Sequence, residues 1–255
     1  MPTKPRLNNP QCEPESSALA RRFAENFSPM QLYLIRHAES ENNARAPYLR
    51  VEDPAITAVG RLQSECLASW IKSLWIDHLI TSPFLRTLQT TRFVTDVNPA
   101  GVNIWHDVFE RGGCFRGYGP DATEGGIGLG RHEVARHVVE DATRCVVDES
   151  IGELGWWGGK PRETDEEAQQ RATRVVRRFV DTFGSSGKTV VAVIHADFKR
   201  ALLADMLGVT ADPTIFGALR NTGVTKLDYD GDRWTLDWFN SVTHLPSKLI
   251  TGNET

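Results

Sequence analysis

Two short runs leave little freedom in how this chain can fold. Gln31-Leu-Tyr-Leu-Ile-Arg36 and Thr189-Val-Val-Ala-Val-Ile194 are compact apolar stretches bounded by polar residues. Runs of this length and continuity read as buried strands. A third short strand, His78-Leu-Ile-Thr81, leads straight into Ser82-Pro83. Ser before Pro is a strong helix start, with the hydroxyl at the N-cap and the missing amide at the first helical position. The spacing therefore predicts a helix from Pro83 to about Val94. Between the first two strands, Val59, Leu62, Cys66, Trp70 and Leu74 recur at three- and four-residue steps, which predicts a helix over 57–74 with those residues on its apolar face. Thr164-Asp-Glu-Glu167 is a capping box. It opens a helix carrying Ala168, Ala172, Val175, Val176, Phe179 and Phe183 on one side, closed by Gly184. A helix from Phe198 to Leu207 follows the 189–194 strand, and two last strands, about 222–229 and 233–239, flank the turn Asp230-Gly231. Strand and helix alternate. The expected class is α/β: a three-layer α/β/α arrangement with a mostly parallel central sheet.

The domain organisation follows from composition. Residues 1–14 hold four prolines and little apolar surface, so they read as a flexible N-terminal tail, with a short helix expected near 17–27. Residues 15–255 read as a single domain. Within it, about 111–162 is glycine-rich, polar and irregular apart from a helix expected near 131–142, and reads as a cap inserted over a rigid core. The chain is 40% hydrophobic and 24% charged, close to an average soluble protein. No apolar run approaches the roughly 18 residues of a membrane span, so no membrane partner is expected. Lys plus Arg number 29 against 33 acids, a net charge of −4. Broad attraction to nucleic acid is therefore not expected, and any bound anion must be held by a local group of arginines. Cys12, Cys66, Cys114 and Cys145 are scattered, the pattern of a reduced, cytoplasmic protein. Whether the chain forms a homodimer is left open by the sequence.

Three tempting motifs fail. Gly184-Ser-Ser-Gly187-Lys188-Thr189 has the tail of a phosphate loop, but it follows a helix and opens a strand, the reverse of what that loop requires. Gly126-Ile-Gly128-Leu-Gly130 lacks the preceding strand. His132 and His137 sit five apart, on different faces of a helix, and cannot share a zinc ion. What survives is positional, because ligands of open α/β sheets bind beyond the carboxyl ends of the strands. The first strand ends in Arg36-His37, the 78–81 strand feeds a helix carrying Arg86 in its first turn, and the 189–194 strand ends in His195. Two histidines and two arginines at matching strand ends would make an anion site. An arginine near a helix start is unfavourable by itself, but makes sense if arginine and helix both serve a phosphate.

Four ordered blocks then carry a family resemblance. Arg36-His37-Ala38-Glu39-Ser40-Glu41-Asn42-Asn43 resembles the R-H-G-E-[ST]-x-x-N signature of the histidine phosphatase superfamily, in its phosphoglycerate-mutase-like branch. Thr57-Ala-Val-Gly60-Arg-Leu-Gln63, Ser82-Pro83-Phe-Leu-Arg86-Thr87-Leu-Gln89-Thr90 and Val193-Ile-His195-Ala196 are similar to its three later elements. The resemblance implies that His37 is the nucleophile, taking the phosphoryl group as a phosphohistidine, and that Arg36, Arg86 and His195 hold the phosphate oxygens. Asn43 would add a polar contact at the rim, with Ala196 alongside. It also implies an acid as proton donor, for which Glu110 fits and Asp107 competes. No cofactor and no metal are implied, because guanidinium groups supply the positive charge, and the expected partner is a small phosphorylated substrate.

The departures point further. Ala38 and Ala196 replace two glycines, which costs little at negative φ and some strain at positive φ. Gly112-Gly113 follows Glu110-Arg111 where mutases continue with a tyrosine and further basic residues. That difference favours a phosphatase, a metal-independent phosphoric monoester hydrolase, over a phosphoglycerate-type mutase. A third reading is a non-catalytic binding module using Trp156-Trp157 as an exposed aromatic patch, against the alternative that this pair is a buried clamp. Arg45 and Arg50 either add positive charge at the pocket mouth or are solvated loop residues.

Overall fold

The computed structural model describes residues 28–119, 121–184, 186–209 and 215–252. The expected tail at 1–14 and the helix near 17–27 lie outside the described residues. The strands are β1 (Met30–Arg36), β2 (His78–Thr81), β3 (Val102–Ile104), β4 (Cys145–Val147), β5 (Thr189–Ile194), β6 (Val224–Tyr229) and β7 (Trp234–Ser241). The α-helices are α1 (Glu41–Ala44), α2 (Ala58–Ile71), α3 (Leu85–Thr95), α4 (Arg131–Val138), α5 (Asp165–Phe183) and α6 (Ala196–Met206). The sheet order is β4-β3-β2-β5-β1-β6-β7. Pairing is parallel from β4 through to β1 and antiparallel from β1 to β6 and from β6 to β7. The mostly parallel α/β sheet is as expected.

Alternation along the central strands builds the layers. Tyr33 and Ile35 of β1, with Leu79 and Val191, pack against Leu67 and Ile71 of α2, Leu88 of α3 and Val134 of α4. Leu32 and Leu34, with Ile80, Val190 and Ala192, pack against Val175 and Phe179 of α5 and Leu202 of α6. Each fully buried Leu, Ile, Val or Phe side chain contributes about 1.5–3 kcal/mol. Among the described residues no helix is long and apolar enough to cross a membrane.

Three local expectations are corrected. The buried face of α2 is Gly60, Gln63, Ser64, Leu67, Ala68 and Ile71, rotated by about one residue from the expected one, and Leu62 is exposed. Hydrogen bonding and close approach set that rotation. Gln63 accepts from the Glu39 amide and donates to the Leu249 carbonyl, and a Cβ on Gly60 would lie 2.2 Å from the Glu39 carbonyl oxygen. Helix α3 begins at Leu85 with Phe84 at its N-cap, so Ser82 is not the cap. The Leu85 amide is instead satisfied by Oδ1 of Asp53 at 2.8 Å. Finally, Trp156 and Trp157 are buried, so the exposed-patch reading falls. Trp157 lies against Gly113, where a Cβ would come within 2.3 Å of the indole and φ is +75°.

The 111–162 stretch divides into two parts. Arg111, Gly113, Phe115, Gly117 and Arg162 line a cavity over the strand ends, whereas α4, β4 and the tryptophans join the core on the sheet's β4 side.

Candidate active site

The chain leaves β1 at Arg36, and His37 follows with its amide bonded to the Ile194 carbonyl of β5 at 2.9 Å. The imidazole is almost fully buried. Its Nδ1 lies 2.7 Å from the carbonyl oxygen of Ala38, an acceptor, so Nδ1 carries the proton and Nε2 the lone pair. Nε of Arg86 donates to that Nε2 at 3.2 Å, which agrees with the same tautomer. Burial holds the His37 pKa well below the usual imidazole value, and the Arg86 and Arg36 guanidiniums push it further down. A neutral imidazole with an oriented lone pair beside two fixed cations can attack an electron-poor centre that carries anionic oxygens.

The strand ends bring the other expected residues together. Arg36, His37, Asn43, Arg86, Glu110 and Ala196 all line one cavity of about 340 Å³, the size of a small-molecule site. Arg86 lies over the Phe84 ring at 4.1 Å, and Arg36 donates through Nη1 to the Leu219 carbonyl. The Asn43 side-chain oxygen accepts from the amide and hydroxyl of Ser40, which fixes the orientation of its amide. His195 is the N-cap residue of α6 and Ala196 its first helical residue, so backbone amides converge there. The His195 ring centroid lies 5.3 Å from that of His37, but the ring is fully buried behind the cavity wall. Its Nε2 is 2.8 Å from Ser82 Oγ, the hydroxyl that the sequence assigned to a helix cap. Burial, then Arg86, hold the His195 pKa well below its usual value. Neither Ala38 nor Ala196 has a positive φ, so the loss of two glycines stores no backbone strain.

The two acids separate clearly. Oε1 of Glu110 accepts from the Phe198 amide in the first turn of α6 and from the Arg111 amide, both at 2.9 Å. Burial raises its pKa, and Asp197 adds to the rise. Asp107 points elsewhere: both its oxygens take Arg178 Nη1, at 2.9 and 3.0 Å. Of the two loop arginines, Arg50 lines the cavity, whereas Arg45 pairs with Glu41 along α1.

Several contributors had no sequence signal. Asn221 Nδ2 and the Thr222 amide donate to the His37 carbonyl at 3.1 and 3.3 Å, and the Thr222 amide also reaches the Arg36 carbonyl at 3.1 Å. Thr222 does this at φ +54°, an uncommon conformation for a β-branched residue. Asp53 is the other. Its carboxyl caps α3 one residue before Arg86, and burial pushes its pKa up to about 7 against the opposing pull of Arg86.

The sequence profile of the histidine phosphatase superfamily, branch 1, matches residues 32–123 and 133–242. The chain belongs to the histidine phosphatase superfamily. A relative named "Probable phosphoglycerate mutase GpmB", from Photorhabdus laumondii, is 38% identical over 236 residues, covering 87% of this chain and 97% of its own. Among solved structures, a variant of phosphoserine phosphatase from Entamoeba histolytica in complex with phosphoserine superposes with a TM-score of 0.60 at 19% identity, covering 85% of this chain and all of its own. A mycobacterial glucosyl-3-phosphoglycerate phosphatase superposes with a TM-score of 0.56 at 19% identity, covering 84% and 99%. These two share the fold. In this histidine phosphatase chain, the T-x-x-G-x-x-Q block is structural: Thr57 caps α2 through the Gly60 amide, Gly60 admits the Glu39 backbone, and Gln63 ties Glu39 to the C-terminal segment.

Proposed function

We propose that this protein is a phosphomonoesterase working through a phosphohistidine on His37. The carrying observation is the tautomer: Nδ1 is committed to Ala38 and the Nε2 lone pair faces the guanidinium of Arg86. In the first step Nε2 attacks phosphorus and the ester P–O bond breaks. Glu110, whose pKa is raised by burial, passes its proton to the leaving oxygen and an alcohol departs. In the second step water attacks the phosphohistidine, gives its proton to the Glu110 carboxylate, and the N–P bond breaks to release phosphate. Arg36, Arg86 and the amide of Ala196 carry the charge on the equatorial oxygens, the main contribution in phosphoryl transfer. Asn43 supplies a neutral donor at the rim. His195, whose Nδ1 has no hydrogen-bond partner among the described residues, is the remaining polar group beside His37.

The substrate is read as a small phosphomonoester with a further acidic group. Arg50 and Arg162 stand on the outer wall, Arg162 stacked on Phe115 at 4.5 Å and bonded to the Gly119 carbonyl. Names among the relatives and neighbours, phosphoserine and phosphoglycerate, fit that chemistry. Residues 15–255 are read as one domain in which the 111–162 insertion shapes the mouth, in a cytoplasmic protein. The decisive experiment is His37→Ala against an aryl phosphate, with the phosphorylated wild type trapped by an alkaline denaturing quench, in which the N–P bond of phosphohistidine survives. Hydrolysis should vanish, and unchanged hydrolysis would end the reading.

The mutase reading is favoured by one observation, the names of relatives such as that from Photorhabdus laumondii. Against it stands the loop after Glu110. Arg111 is engaged by Asp165, and Gly112-Gly113 bring no further cation. A coupled assay with a phosphoglycerate, with and without its bisphosphate, separates the two: hydrolysis without bisphosphate marks the phosphatase.

A further inference from the structure

Glu110 sits in a short loop, yet its carboxyl group must stay within a few tenths of an ångström of one position to deliver a proton. The loop alone does not hold it. Arg171, at the end of the second turn of α5, sends its guanidinium beneath the loop, and neither it nor its partner Glu163 lines the cavity. The pair is buried, with side-chain exposures of 5% and 8%. It is bidentate, Nε to Oε1 and Nη2 to Oε2 at 2.7 Å each. The remaining nitrogen, Nη1, donates to the carbonyls of Asp107 and Phe109 at 2.8 and 3.0 Å, so the backbone leading into Glu110 hangs from it. Glu163 completes the frame on the far side, accepting from the Gly112 amide at 3.3 Å and donating its own amide to the Gly112 carbonyl at 3.1 Å.

The plane of the guanidinium does as much as its charge. It lies between two rings, 3.6 Å from the centroid of Phe109 and 3.9 Å from that of Phe198. Phe198 is the residue whose amide holds the Glu110 carboxyl group. One side chain therefore fixes both the strand of loop that carries the carboxyl and the helix turn that receives it. A buried ion pair is a poor source of net stability, since desolvation offsets most of the attraction. Lysine could not reproduce the arrangement, because only a planar fork meets a carboxylate, two carbonyls and two ring faces together.

We propose that Arg171, braced by Glu163, is the positioning residue for proton donation by Glu110. This rests on the reading of Glu110 as the proton donor given above. The dependence on leaving group tests it. An aryl phosphate that expels a stable phenolate needs little help from an acid, whereas an alkyl phosphate such as phosphoserine needs a proton at the ester oxygen. Values of kcat/KM, which report the first chemical step, are compared for both substrates in wild type, Glu110→Gln, Arg171→Met, Arg171→Lys and Glu163→Gln, with folding followed by circular dichroism.

The expected result is a loss on the order of 10²-fold for the alkyl phosphate, the usual scale of acid catalysis. The aryl phosphate should change only a few-fold, with the same selectivity in Glu110→Gln and little recovery in Arg171→Lys. Equal losses on both substrates, or none on the alkyl phosphate, would overturn the proposal. Should Arg171→Met fail to fold, Glu163→Gln decides by the same criterion. If Glu110→Gln itself shows no selectivity while His37→Ala is dead, the role of Glu110 falls and the clamp with it, leaving the phosphohistidine intact.

Discussion

Nε of Arg86 donates to Nε2 of His37 across 3.2 Å, so a buried cation rests on the lone pair of the neighbouring imidazole. Protonating that nitrogen would bring two positive charges into contact. The histidine therefore stays neutral and available well into acid.

The first prediction is a double effect of Arg86→Met. Loss of one charged contact to the transferring oxygens should lower kcat/KM by about 10²-fold or more. In the same variant the His37 pKa should rise towards, without reaching, its usual value, because burial is the larger cause and persists. Nitrogen NMR of labelled histidine reads this directly. A fall in kcat/KM with no change in titration would separate the two roles.

The pH profile gives a second prediction. Burial and Asp197 raise the Glu110 pKa, and only the protonated acid can donate. Activity on an alkyl phosphate should therefore fall as pH rises through that elevated pKa. Glu110→Gln should be slow and lack this basic limb, measured on the same substrate so that the titration of the substrate cancels. Persistence of the limb in the variant would assign it to another group.

A third prediction concerns stability. Asp53 holds its proton in the folded state up to about 7, against an ordinary value of 3.8. Between those values the unfolded chain binds fewer protons than the folded one, so this group's contribution to stability is present in acid and lost as pH rises through about 7. Asp53→Asn keeps an acceptor for the Leu85 amide and cannot ionise. Urea unfolding across that pH window should show a smaller decline in the variant than in wild type.

Gly60→Ala tests the packing of α2 on the loop after His37. The added Cβ would sit 2.2 Å from the Glu39 carbonyl oxygen, which is backbone and cannot swing away. Such overpacking costs about 1–3 kcal/mol, and thermal denaturation should show it.

The sequence announced β1 and β5 because both carry unbroken apolar runs, and it singled out the candidate site because His37, Arg86 and His195 follow strands or open helices. The face of α2 was misread for a physical reason. Its buried surface holds Gly60, Gln63 and Ser64, which pack by hydrogen bonding and close approach, and apolar periodicity is blind to both. Ser82 looked like a cap because Ser-Pro is a local signal, whereas its bond to His195 spans 113 positions. Asn221, Thr222 and Arg171 act through backbone carbonyls, and nothing in a one-dimensional pattern marks a carbonyl that needs a donor. Trp156 and Trp157 sit in a glycine-rich stretch that suggests exposure; the glycines are there to let the indoles in.

The position of β5 between β1 and β2 has a consequence for how activity is born. As the polypeptide is synthesised, β1 has no parallel neighbour until residue 189 and beyond have emerged, because its parallel partner is β5. Inserting that late strand joins two halves separated by more than a hundred residues, a slow, high-contact-order event. His37 and Arg86 follow the two strands that β5 joins, so a chain ending before residue 189 is expected to leave the pair unassembled and to show no phosphatase activity.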